Sequence, residues 1–168
     1  MDTFFEQLIT IKKDGKTLVL FIGIWVLAII IAIALFTFVA GIGLLLACGV
    51  IFGAYWLSSK FNVEFEYIIT NDSMDIDKII NKSSRKRILS FDITKVTRLE
   101  KYNPAFLNNI DKKDIVFACN PSDKEIYFMV AESSHGGKNA YLVFAPDKRI
   151  KSAIKKFAPK YITNNIFE

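Results

Sequence analysis

Apolar and polar residues alternate along one part of this chain and segregate completely along another. From Thr17 to Ser59 no charged residue occurs, and nearly every side chain is aliphatic, aromatic or small. From Phe61 onward the pattern has period two. Phe61, Val63, Phe65, Tyr67 and Ile69 alternate with Asn62, Glu64, Glu66 and Ile68, which predicts a strand with one buried face. Asn71-Asp72 reads as a turn, and Ser73–Ile80 as a second strand with Met74, Ile76 and Lys78 on one face. Arg85–Phe91 and Ile93–Tyr102 read as the third and fourth strands, the fourth bent at its start. A long loop over Asn103–Asp111, marked by Pro104, leads to strands at Lys113–Cys119, Glu125–Glu132 and Asn139–Ala145. Asn120-Pro121-Ser122-Asp123 and His135-Gly136-Gly137 supply turn chemistry between them. The period then changes: Ile150, Ala153, Ile154 and Phe157 form one helical stripe, opened by Pro146 and stopped by Pro159.

The uncharged run holds 43 residues, which as one helix would extend about 65 Å, against a hydrocarbon core of about 30 Å. Two spans fit, Thr17–Val39 and Gly43–Ser58, with the turn at Ala40-Gly41-Ile42-Gly43. The run far exceeds the apolar region of a cleaved signal peptide. Lys12, Lys13 and Lys16 precede it and Lys60 follows it, while the turn is uncharged. The positive-inside tendency therefore predicts a multi-pass protein of the inner (plasma) membrane with both termini cytoplasmic. Before the spans, Thr3 with Glu6 fits a capping box, and Phe4, Phe5, Leu8, Ile9 and Ile11 suit a short amphipathic helix on the membrane surface. Gly49 and Gly53 make a small-xxx-small pattern. They read as helix-packing residues, either against a second copy of the chain or between the two spans. The predicted organisation is a juxtamembrane segment 1–16, a transmembrane hairpin 17–59 and a cytosolic α+β domain 60–168.

Composition then narrows the chemistry. Of 168 residues 52% are hydrophobic and the net charge is +5, a balance that excludes an ordinary soluble enzyme or a disordered chain only because the apolar residues are so segregated. No ionisable group other than Cys48 and Tyr55 lies in the hairpin, which argues against a pump or transporter acting alone. His135 is the single histidine, Cys48 and Cys119 stand apart, and no phosphate-loop glycines are present. No catalytic residue, metal or cofactor is expected. The basic residues are more informative. Lys82, Arg85, Lys86 and Arg87 crowd one hairpin, and Lys148, Arg149, Lys151, Lys155 and Lys156 decorate the last helix opposite its apolar stripe. Nucleic acid would call for a larger excess with interleaved aromatics. Anionic lipid is the nearer partner, with the hairpin as headgroup contact and the helix lysines as a solvated face.

Four strands, three strands and a terminal helix is the order of the pleckstrin-homology (PH)-like barrel. Tyr67-Ile68-Ile69-Thr70-Asn71-Asp72, Met74-Asp75-Ile76 and Ile88-Leu89-Ser90-Phe91-Asp92-Ile93-Thr94-Lys95-Val96 resemble bacterial PH-like domains, in which paired membrane spans often precede the domain. The chain also resembles small two-span bacterial membrane proteins. The resemblance implies a seven-stranded barrel or sandwich capped by the C-terminal helix, and a binding or scaffold role with an unidentified membrane or cytosolic protein partner. It carries over no catalytic residue. In eukaryotic PH domains a comparable Lys-xx-Arg-x-Arg spacing engages phosphoinositides; here Lys82-Ser83-Ser84-Arg85-Lys86-Arg87 falls on the second hairpin instead of the first. The second expectation is an accessory subunit of a larger transporter or channel complex.

Overall fold

The computed structural model of the chain describes residues 3–108, 110–133, 139–163 and 166–167, with backbone alone at 112. His135 and its neighbours Ser134, Gly136 and Gly137 lie outside the described residues. The chain divides into two compact units. One gathers the segment up to Ile11, Glu64–Ile79 and the chain from Arg85 onward; the other is Lys12–Val63 with Ile80–Ser84.

The first unit is built on one seven-stranded sheet. Its strands are β1 (Phe4–Thr10), β2 (Val63–Thr70), β3 (Ser73–Ile80), β4 (Ser84–Lys101), β5 (Ile115–Phe117), β6 (Tyr127–Ser133) and β7 (Asn139–Phe144). The spatial order is β1-β2-β3-β4-β6-β7-β5, so β1 and β5 are edges and the sheet is not closed on itself. Seven strands were expected, but two of them differ. The segment read as an amphipathic helix is β1, which pairs antiparallel with β2 from Phe4↔Thr70 to Thr10↔Glu64. The sheet thus takes its first strand from before the apolar run, and its unit does not begin at residue 60. Short apolar runs satisfy both periods; here an open β2 edge captures the segment as a strand. The expected third and fourth strands are one continuous β4, bent where its pairing with β6 shifts register between Phe91 and Val96 and again before Arg98. Across the bend the buried residues pass from spacing two (Leu89, Phe91, Ile93) to spacing three (Val96, Leu99).

Tyr67 joins the two halves of the sheet. It is fully buried, its hydroxyl donates to Ala118 O and accepts from Ala145 N–H, and its ring meets Phe144 edge-on at 5.9 Å. Helix α3 (Lys148–Phe157) buries Ile150, Ala153 and Ile154 and leaves Phe157 half-buried. Its N-cap is Asp147, whose carboxylate accepts from the N–H groups of Arg149 and Ile150, so Pro146 precedes the cap instead of opening the helix. Gln7 of β1 donates to Ala145 O and accepts from Asp147 N–H, which ties the edge strand to the start of α3. A short α4 (Lys160–Thr163) follows Pro159.

The second unit is a helical hairpin of α1 (Gly15–Phe38) and α2 (Gly43–Ser59). Asp14 caps α1 by accepting from Thr17 N–H. The helix is long and apolar enough to cross a bilayer, and only 6% of its most apolar stretch is buried, unlike the core helix of a soluble domain. Gly41 turns the chain at φ 79°. The glycine that lets the helices meet is Gly43: a Cβ there would collide with Leu35 O. Gly49 and Gly53 face open space and take no part in the contact between α1 and α2, one of the two contacts that their spacing fits. The buried positions of α2 are Gly43, Ala54 and Ser58, a different face of the helix.

Two outcomes follow. Replacing 11–63 with an Asn-Gly turn, which suits the directly opposed Thr10 and Glu64, should give a soluble, cooperatively melting domain. Residues 61–168 alone lack β1 and expose the β2 edge, so they should aggregate or melt at least about 5 °C lower; equal stability by size exclusion and thermal melting would make β1 peripheral. In detergent micelles Gly43→Ala should lower the melting midpoint of the full chain, whereas Gly49→Ala and Gly53→Ala should each stay within about 0.5 kcal/mol.

Candidate functional site

The first four strands carry an unusual number of charges on one face. β2 presents Glu64 and Glu66, and β3 presents Asp75 and Asp77; Glu64, Glu66 and Asp77 are buried. A buried carboxylate needs a partner, and β4 provides two. Arg85 pairs with Glu66 and lies 4.0 Å from Asp77; Arg87 reaches Asp75 at 3.0 Å and Asp77 at 3.2 Å. Glu64 accepts from the Thr10 hydroxyl at 3.2 Å. These cross-strand pairs join β2, β3 and β4 in one ladder.

This ladder decides the fate of the expected headgroup contacts. Arg85 and Arg87 are engaged by carboxylates of their own sheet. Lys82 and Lys86 are exposed and have no ion pair among the described residues. Lys82 occupies the turn between β3 and β4, where Asn81 and Lys82 both adopt the left-handed conformation (φ 52° and 56°). Asparagine tolerates that region; lysine adopts it at a cost. The Asn81 N–H donates to Asn62 O at 2.8 Å, tying this turn to the segment that leaves α2. Sequence reasoning found the arginines and missed their partners. The signal was present as Glu64/Glu66 and Asp75/Asp77 at period two on consecutive strands, followed by Arg85/Arg87 on the next.

Glu66 is the group with the most perturbed acidity on this face. Burial raises its carboxyl pKa to about 7, helped by a hydrogen bond and like charge from Glu6 on β1 and by Asp77, with Arg85 opposing. Two carboxyl groups in contact hold a proton between them more readily than two charges. The thiol of Cys119 is likewise pushed up to about 12 by burial and by Asp123, which leaves it a poor nucleophile at neutral pH. Among the described residues no cluster of three or more His, Cys, Asp or Glu has metal-binding geometry.

A carboxyl raised in the folded state binds a proton that the unfolded chain has already released above pH 4.5. Its stabilising contribution is therefore present below that pH and is lost as pH rises through about 7. The melting midpoint of the full chain in micelles should fall from pH 5 to pH 8, and Glu66→Gln should flatten that segment. A Glu66→Gln profile with the full wild-type slope would remove Glu66 as its source.

No curated protein and no solved structure matches the chain. A family match does exist, and it runs over residues 1–164, taking in β1, the helical hairpin, the rest of the sheet and α3. The chain belongs to the bacterial PH-like domain family DUF6106.

Proposed function

We propose that this protein is a membrane-anchored PH-like binding module whose α1–α2 hairpin crosses the bilayer twice, holding both termini and the sheet on the cytoplasmic side, with Lys82 touching anionic headgroups. The observation that carries this reading is the Asn81–Asn62 hydrogen bond, because it links the lysine-bearing turn to the exit of the apolar hairpin. The ends of that hairpin support it further. The Lys13 ammonium lies 3.8 Å from the Phe21 ring centroid and that of Lys60 lies 3.6 Å from Trp56, pairings suited to a membrane–water boundary. Most of the α1 surface is exposed and apolar, which supports a non-aqueous surrounding. A lysine held in the left-handed region despite its cost fits a role for its charge.

The test uses the full chain with Cys48 and Cys119 changed to Ser. Ile42→Cys should react with an impermeant thiol reagent added to intact cells, and Asn139→Cys only after lysis; the reverse pattern overturns the topology. Lys82→Cys carrying an environment-sensitive fluorophore should shift to the blue in nanodiscs containing phosphatidylglycerol relative to phosphatidylcholine alone. An identical spectrum in both lipids removes Lys82 as a headgroup contact.

A further inference from the structure

The last helix presents a second basic surface that is more organised than a solvated face. Of its five basic residues, two reach back to the start of the chain. Arg149 pairs with Asp147 at 3.0 Å and reaches Glu6 O at 3.4 Å, and Lys156 donates to the Thr3 hydroxyl at 3.0 Å. The other three, Lys148, Lys151 and Lys155, recur at i, i+3 and i+7 and line one concavity of about 470 Å³ with Glu125, Ser152 and Phe167.

Lys151 is the least exposed of the three lysines. Its side chain is only 15% exposed, and its ammonium lies 5.1 Å from the ring centroid of Tyr127 and 5.9 Å from that of Phe167. It is therefore held in place before any ligand arrives, which lowers the entropy lost on binding. Its ion-pair partner is Glu125, an exposed residue of the loop before β6. Lys148 and Lys155 flank it, exposed and without an ion pair among the described residues.

This arrangement works against the stability of α3. Like charges three and four residues apart on a helix repel. Lys148 also stands at the first position of the helix, on the positive end of its dipole, where the Asp147 cap is committed to Arg149 and to the N–H groups of Arg149 and Ile150. One carboxylate faces three ammoniums, so the concavity keeps a net positive charge that a bound anion would offset.

We propose that this concavity binds a phosphate-bearing anion, with Lys151 as its fixed contact, Lys148 and Lys155 as its flanks, and Glu125 as an internal carboxylate that the ligand displaces. The phosphate group belongs either to a free phosphate compound or to a lipid headgroup, and one experiment separates these sources. This site is independent of Lys82 and of the headgroup contact proposed there.

The full chain in neutral detergent is titrated with pyrophosphate by calorimetry, and the lysines are mapped by amine acetylation and mass spectrometry. Pyrophosphate should protect Lys148 and Lys155 but not Lys86. Lys151→Gln should weaken binding about tenfold or more. Glu125→Gln, which removes the competing carboxylate, should tighten it severalfold, while Lys113→Gln, outside the concavity, should leave it unchanged. Protection that instead appears in phosphatidylglycerol nanodiscs, and not in phosphatidylcholine ones, without pyrophosphate assigns the site to a lipid headgroup. Absence of protection in both arms, or a Glu125→Gln variant that binds pyrophosphate no more tightly than wild type, overturns the proposal. Circular dichroism of each variant distinguishes lost binding from lost folding.

Discussion

The pairing of Phe4–Thr10 with the strand beyond the apolar hairpin is the constraint on which the rest of the sheet depends. An antiparallel ladder runs from Phe4↔Thr70 to Thr10↔Glu64, so two helices are inserted between neighbouring strands. Without this pairing β2 would be an unprotected edge, a liability in any sheet. The same strand carries Gln7, which bonds both Ala145 O and Asp147 N–H, and its backbone meets Arg149 through Glu6 O. The edge strand thus seats the start of α3, and α3 buries Ile150, Ala153 and Ile154. Sheet and terminal helix are held together by seven residues that precede the helices.

Charge is distributed by the same logic. Arginines from β4, whose planar group suits several acceptors at once, meet Glu66, Asp75 and Asp77, while the buried Glu64 takes the Thr10 hydroxyl of β1. Where charge is left over, it is carried by lysines: Lys82 in a turn, Lys86 on a strand, and Lys148 and Lys155 beside a concavity. Arg85, Arg87 and Arg149 are thus tied into the fold by carboxylates, while Lys82, Lys86, Lys148 and Lys155 stand exposed without an ion pair among the described residues. Net charge alone does not separate these groups.

Much of the architecture was legible from periodicity. Alternation marked β2, β3 and β7, the change to a helical stripe marked α3, and the uncharged run marked the helical hairpin. Three features were not legible. The segment at Phe4–Thr10 places the polar Gln7 between Phe5 and Ile9 on its half-buried face, which breaks the alternation; that glutamine is there to bond backbone groups far along the chain. The bend in β4 read as a gap between strands, because a register shift looks locally like a turn. Gly49 and Gly53 had the spacing of a helix contact, but the contact fell on the face bearing Gly43, as the short turn at Val39–Ile42 dictates.

Sequence by itself determined the local elements and their sorting into oily and amphipathic parts, since hydrophobic period and turn chemistry are properties of neighbouring residues. It also carried the resemblance to bacterial PH-like domains that the family match bears out. Tertiary structure alone decided which strand is first, which arginines are engaged and which lysines gather at one concavity. Each of these depends on residues that meet only after the chain returns on itself. Glu66 shows the difference: in sequence it is one polar position of an alternating strand. In the fold it is buried between Glu6, Asp77 and Arg85, with its carboxyl raised to about 7, because burial and neighbouring charge are set by partners from three other strands.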